Sequence, residues 1–179
     1  VEAVLVVEAS GVRPDRRLAD AAGIRLGPTG GIAVDARHRT SAPKVWAVGD
    51  GVEKRDSLDG APTLVTMAGL ANRHGRAAAD DIAGIEPGDA APALGTAILG
   101  LLGTTVALIG WNERRLRDAG RPHRIVHTHP SSHATYYPGA QPMAMKLLVD
   151  PETDHILGAQ IVGSEGVDKR IDIIAVAMA

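Results

Sequence analysis

The chain has 179 residues, 45 % apolar and 22 % charged, with a formal net charge of -2; this balance excludes a disordered tail or fibre and gives no overall field that would attract nucleic acid. It has no Cys, which excludes disulfides, thiolate metal sites and a cysteine nucleophile of its own. With aromatics at 2 % and Phe absent, the core must be aliphatic.

Val1 to Val7 reads as a buried strand rich in β-branched residues, ended by the turn Ser10-Gly11-Val12-Arg13-Pro14. Residues 18–22 read as a short helix stopped by Gly23. Gly30-Gly31 leads into a strand at 32–35. Thr40-Ser41-Ala42-Pro43 leads into a second buried strand, 45–48, which ends at Gly49-Asp50. Pro62-Thr63 opens a long helix to about Ile82, with Leu64, Met67, Leu70 and Ala71 at helical spacing on one face. The stretch 84–92, rich in Gly, Pro, Asp and Ala, is the best domain boundary.

Residues 93–111 carry no charge and are long enough to span a membrane. Gly95, Gly100, Gly103 and Gly110, with Thr96, Thr104 and Thr105, favour instead two strands, 96–101 and 105–110, in a hairpin around Gly103-Thr104, so no membrane segment is expected. Asn112 caps a helix at 113–119 that Gly120 closes. Strands follow at 124–127, 143–149 and 156–162, the last two joined through Pro151-Glu152-Thr153-Asp154, and a helix follows Gly166. Strands backed by a helix make this part α+β. The chain opens without Met or a secretory leader pattern, and its last helix has no closing Gly, Asn or basic residue. We therefore expect a fragment of a cytoplasmic protein, cut within an element at each end.

Few residues carry chemistry. Gly49 would let the backbone approach a ligand closely, and Asp50 would offer a carboxylate at a strand's carboxyl end, where ligands of open α/β sheets bind; a plain turn aspartate is the competing interpretation. The helix opening near Thr63 would turn the positive end of its dipole toward that region. His127, His129 and His133 have metal-like spacing, but Pro130 breaks any helix that would align them, and no metal site is expected. Ser131, Ser132 and His133 lack the G-x-S-x-G elbow of a serine nucleophile. Tyr136-Tyr137-Pro138-Gly139 holds the only two tyrosines, in a Pro/Gly turn.

The string Thr-Ser-Ala-Pro-Lys-Val-Trp-Ala-Val-Gly-Asp at 40–50 resembles the second FAD-binding motif of the pyridine nucleotide–disulfide oxidoreductases. The resemblance continues through 67–84 and from His129 to the end, where the chain is similar to the dimerisation domain of the coenzyme A-disulfide reductase and NADH oxidase branch. It implies an α/β fold: the second half of an FAD-binding doubly wound domain, followed by an α+β dimerisation domain. Residues 1–14 would end an NAD(P)H-binding domain, 15–92 would complete the FAD domain, and 93–179 would be the truncated dimerisation domain.

The resemblance also implies FAD and NAD(P)H as cofactors, a homodimer, and hydride passing from NAD(P)H to FAD and on to a cysteine-linked disulfide such as coenzyme A disulfide. Oxygen, peroxide and polysulfide are the other acceptors of the branch. The FAD phosphate loop and the redox cysteine would precede this chain, leaving it inactive alone. Asp50 would hold the flavin ribityl chain or adjacent phosphate, with Thr40 and Gly49 in the same motif. Gly11 would turn beside the nicotinamide, although Glu8 and Ser10 replace apolar or small residues there. The backbone near Ala71 and the side chain of Asn72 would lie close to flavin or the coenzyme A substrate, and His133 near the coenzyme A moiety. Tyr137 would reach into the partner subunit's active site, its hydroxyl protonating or orienting a thiolate. Asp168 and Asp172, facing water beside Lys169 and Arg170, would serve the dimer contact. The alternatives are a non-catalytic dimerisation or scaffold module, and an NADH oxidase or peroxidase of the same family.

Overall fold

A computed structural model describes residues 3–86, 88 and 91–179; Val1 and Glu2 of the expected first strand, and residues 87, 89 and 90 of the expected boundary, lie outside them. The chain forms two compact units, one from Val1–Arg55 with Pro62–Ala91, the other from Asp56–Ala61 with Pro92–Ala179.

In the first unit, helix α1 (Arg17–Ala21) is followed by Gly23 at φ +66°. A two-residue ladder joins β1 (Lys54–Arg55) to β2 (Pro62–Thr63), and α2 spans Ala68–Ile82. The expected strand at 1–7 is not formed over 3–7, where Val4, Leu5, Val6 and Val7 lie exposed. A strand exists only where a neighbour takes up its N–H and C=O groups, and among the described residues none does so here. The expected strands at 32–35 and 45–48 shrink to single bridges, Leu26 to Ile32, Ile32 to Val52 and Arg39 to Trp46; Val45 and Val48 are exposed, not buried.

Local side chains explain this shrinkage. Asp35 Oδ1 accepts from the amides of Arg37 and Arg39, each at 2.9 Å, and Thr40 Oγ1 donates to Val45 O at 2.9 Å. Such bonds draw backbone into turns and away from ladders. The helix expected from Thr63 starts five residues later because Pro62 and Thr63 pair with Arg55 and Lys54, and Met67 is still extended at φ -127°, ψ 124°. Leu64 therefore precedes the helix, whose buried positions are His74, Ala78 and Asp81.

The second unit is a five-stranded antiparallel sheet of order β3-β4-β7-β6-β5, with β3 at Ala97–Leu101, β4 at Thr104–Gly110, β5 at Arg124–Thr128, β6 at Ala144–Val149 and β7 at Ile156–Gly163. The β3–β4 hairpin closes on Leu102 and Gly103 at φ +50° and +76°, the two positive values that match a two-residue turn to strand twist. Among the described residues no helix is long and apolar enough to cross a membrane. Asn112 Oδ1 accepts from Arg115 N at 2.9 Å and caps α3 (Glu113–Asp118).

Helix α4 (Val167–Met178) lays Val167, Ile171 and Ile174 on Ala107 and Ile109 of β4, Ala159 and Ile161 of β7, and Met143. The alanines let the helix close on an aliphatic core. A second cluster joins Trp111, Leu116, Leu148 and Leu157. Residues 56–61 belong to this unit through Asp56, buried, whose carboxylate accepts from Trp111 Nε1 at 2.9 Å and pairs with Arg115 at 2.8 Å.

Candidate functional site

Gly49 and Asp50 sit in a turn held at both ends. On one side Ala47 N donates to His38 O at 3.0 Å; on the other Ile32 N donates to Gly51 O at 2.9 Å and Glu53 N to Ile32 O at 3.0 Å. From within, the buried Lys54 donates its Nζ to Gly49 O at 2.6 Å and Val52 O at 2.9 Å. Burial pulls the Lys54 ammonium below its ordinary value, and the Asp50 carboxylate opposes that shift. Gly49 has φ +97°, and a Cβ there would meet nothing within 4 Å, so the outer side of the turn is open to close approach. The Asp50 side chain is exposed and accepts no hydrogen bond from the described residues. An acceptor-only group on an immobilised turn suits a ligand that brings hydroxyl donors.

The chain leading into α2 is packed beside this turn: a Cβ on Gly31 would stand 2.8 Å from Leu64 Cδ2 and 3.1 Å from Gly51 O. Met67 provides no side-chain cap for α2, so its first amides remain available to an acceptor at an end carrying roughly half a positive charge. Ala71 N is already bonded to Met67 O at 3.1 Å, and Asn72 is exposed. The Thr40 hydroxyl is engaged inside its own turn. Gly11, at φ +93°, lies in an exposed stretch with nothing near its Cβ direction.

Two features behind the turn escaped the sequence analysis. Asp81 of α2, its side chain buried, accepts from Arg39 Nε at 2.7 Å, Trp46 Nε1 at 2.8 Å and Arg37 Nη1 at 3.2 Å. Arg39 foremost, then Trp46 and Arg37, holds its carboxyl far below the usual carboxylate range. This fan ties the 37–46 segment to α2; its one sequence signal was an acid three residues after Ala78 on the helix's inward face.

Beside it the His38 and His74 rings lie tilted at 36° with centroids 4.3 Å apart, both buried, and no ring nitrogen has a well-formed hydrogen bond among the described residues. Burial pushes both imidazoles below the ordinary 6.5; at His38 the charges of His74 and Lys54 add to this against Asp35, and at His74 the backbone of Ala91 opposes it while Lys54 adds to it. Between the lowered folded value and about 6.5 the unfolded chain binds more protons, so this stability is complete above about pH 6.5 and is lost as pH falls. The melting temperature should drop on going from about pH 7 to 5, before Asp81 protonates, and His74→Leu should flatten that drop. An unchanged slope in the variant would exclude the pair as its origin.

In the second unit the loop 129–142 between β5 and β6 carries His133 and Tyr137. Its neck is bonded across: Met143 N donates to Pro130 O and Ser132 N to Gln141 O, each at 2.8 Å, and Gln141 N to Ser132 Oγ at 3.0 Å. Beyond the neck, residues 133–139 are all exposed, Tyr137 at 58 %. The His133 and Tyr137 rings lie 5.3 Å apart at 47°. The candidate residues thus form two sets, Gly49 with Asp50 in the first unit and His133 with Tyr137 in the second.

Comparison with known proteins adds the following. The family model described as pyridine nucleotide-disulphide oxidoreductase matches residues 1–71, and that of the same family's dimerisation domain matches 99–179. The chain is 35 % identical over 177 residues to an NAD(P)H coenzyme A polysulfide/persulfide reductase of Pyrococcus horikoshii, covering 97 % of this chain and 39 % of the relative. It is 30 % identical over 174 residues to coenzyme A disulfide reductase of Staphylococcus aureus, with the same coverage of 97 % and 39 %. Among solved structures, reduced Bacillus anthracis CoADR-RHD superposes with a TM-score of 0.91 at 40 % identity, over 95 % of this chain and 30 % of that one. The chain therefore spans about two fifths of the length of the Pyrococcus and Staphylococcus relatives and less than a third of the Bacillus one.

Proposed function

Since this chain belongs to the pyridine nucleotide-disulphide oxidoreductase family, its part of the FAD-binding domain followed by the dimerisation domain, we propose that it is part of a cytoplasmic, homodimeric flavoenzyme that uses NAD(P)H to reduce a coenzyme A-linked disulfide or persulfide. In this proposal residues 1–14 end the NAD(P)H domain, 15–92 belong to the FAD domain except for 56–61, which pack in the second unit, and 93–179 belong to the dimerisation domain, while the redox cysteine and phosphate loop lie in the rest of the protein. Bound FAD would supply the two-electron relay between NAD(P)H and the disulfide.

The residues present fit that cofactor. Asp50 supplies acceptors for the ribityl hydroxyls, and the open side of Gly49 admits the ribityl chain without a Cβ in its path. Lys54 fixes the turn from inside, Thr40 shapes the approach to it, and the uncapped start of α2, with Ala71 and Asn72 one turn in, faces acceptor atoms of cofactor or substrate. Gly11 provides the turn at the nicotinamide side. Tyr137 donates its hydroxyl to the departing thiolate, and His133 stands by the coenzyme A moiety.

The exposed, unpartnered Asp50 carboxylate on its braced turn carries the proposal. In the complete protein, Asp50→Ala should weaken FAD retention about 10–100-fold, the worth of hydrogen bonds to a charged acceptor. The melting temperature of the flavin-free protein should move little, because the side chain is exposed, accepts no hydrogen bond from the described residues and meets the fold only through its charge opposite Lys54. An Asp50→Ala dimer that keeps its full flavin content through dialysis would defeat the proposal.

A further inference from the structure

The neck of the 129–142 loop is fastened by one side chain of α4. Arg170 Nη2 donates to Ser131 O at 3.2 Å and to Ser132 O at 3.0 Å, the two carbonyls immediately ahead of His133. A cationic donor makes such bonds roughly twice as strong as a neutral one. The approach depends on Gly166, the residue that opens α4. It has φ +74°, and a Cβ there would lie 3.1 Å from Arg170 Nη1 and 3.7 Å from Ser132 Cβ. Ser132 is 4 % exposed and bonds Gln141 on the returning arm of the loop through both its N–H and its Oγ. Past this bracket, among the described residues, the tip holds itself by short turn bonds, Tyr137 N to Ala134 O at 2.8 Å and Ala140 N to Tyr137 O at 3.1 Å. Where the aromatic tip stands is therefore decided at the neck, and Arg170 ties the neck to the core helix.

We propose, on the reading of Tyr137 given above, that Arg170 is a positioning residue: it fixes the stance of His133 and Tyr137 and thereby sets the rate of disulfide reduction without touching the substrate. A displacement of about 1 Å at a reacting group costs up to roughly 100-fold in rate, so a loosened neck is felt at the tip. Lysine would keep the charge but lose the planar fork.

The test uses the complete dimeric enzyme with coenzyme A disulfide as acceptor. In Arg170→Met, flavin reduction by NAD(P)H should stay within about twofold, while reoxidation by the disulfide slows about tenfold or more. Amide exchange at 132–141 should accelerate while β4 and β7 keep their protection. Arg170→Lys should recover part of both effects, and it serves alone if the Met variant is not obtained folded. Combined with Tyr137→Phe, the Arg170 effect on rate should shrink, since misplacing an absent hydroxyl costs little. Unchanged exchange at 132–141 overturns the proposal whatever Tyr137 does. Faster exchange with an unchanged disulfide step, in a protein where Tyr137→Phe alone slows that step, overturns it too. A Tyr137→Phe variant with parental rates, beside a loosened and slower Arg170→Met, counts against Tyr137 and sustains Arg170.

Discussion

Gly158→Ala should unfold the second unit at markedly lower urea than the parent, with a loss of about 3 kcal/mol or more. Gly158 lies on β7 between Gly110 of β4 and Leu148 of β6. There β4 ends and the chain crosses over β7: Gly110 bends at φ +65°, and Trp111 N donates to Leu157 O at 2.9 Å. A Cβ on Gly158 would overlap Trp111 O outright and stand 2.9 Å from Trp111 N and 3.0 Å from Ile109 O. All three are backbone atoms, so no rotamer change relieves the clash.

Overfilling a core costs about 1–3 kcal/mol when side chains can yield. Here the backbone must move, and with it Trp111, whose ring closes the cluster with Leu116, Leu148 and Leu157. Against a total stability of about 5–15 kcal/mol the effect is large. Gly100→Ala in β3, where a Cβ would meet nothing within 4 Å, is the matched control and should stay within about 0.5 kcal/mol. Urea midpoints by circular dichroism decide it. A Gly158→Ala midpoint equal to that of Gly100→Ala would mean that the β4 exit does not lie over β7 as described.

The contrast between the two halves explains what the sequence could and could not disclose. In the second unit the deciding signals are local. Gly103 marks the hairpin, although its turn falls on Leu102-Gly103 and not on the expected Gly103-Thr104, Asn112 caps three residues ahead, and strands of alternating aliphatics find neighbours within the same stretch. In the first unit, strand composition at 3–7 and 45–48 promised ladders that composition alone cannot supply. Asp35 and Thr40 then spent their side chains on turns. Pro62 suits a first helical position and a strand edge alike; pairing with Arg55 settled it as the latter.

The site divides the same way. Gly49-Asp50 and Tyr136-Tyr137-Pro138-Gly139 are contiguous and could be read. What braces them could not: Lys54 under the turn, Asp81 reached from Arg39 and Trp46, and Arg170 under a neck nearly forty residues earlier are pairings that only tertiary structure brings together.

Tyr137→Phe in the complete enzyme should slow the disulfide half-reaction by about 100-fold, the lower range for a positioned proton donor, and leave flavin reduction by NAD(P)H within about twofold. Phenylalanine keeps the ring and its 5.3 Å contact with His133, so only the hydroxyl is removed. Among the described residues that hydroxyl makes no hydrogen bond, and the ring is 58 % exposed, so folding stability should hold within about 0.5 kcal/mol. The Tyr137 hydroxyl is a hydrogen-bond donor and can donate to the sulfur that leaves as a thiolate. Its loss should therefore be felt where a sulfur–sulfur bond breaks and not where hydride reaches the flavin.

Tyr136→Phe supplies the neighbour control: that ring is 89 % exposed and should be silent in both half-reactions. Rapid mixing with NAD(P)H, then with coenzyme A disulfide, separates the two steps. Equal slowing of both would point to a misplaced subunit rather than a missing proton, and parental rates in both would reduce the aromatic tip to a packing element. Only a selective loss in the second step assigns the hydroxyl to the chemistry.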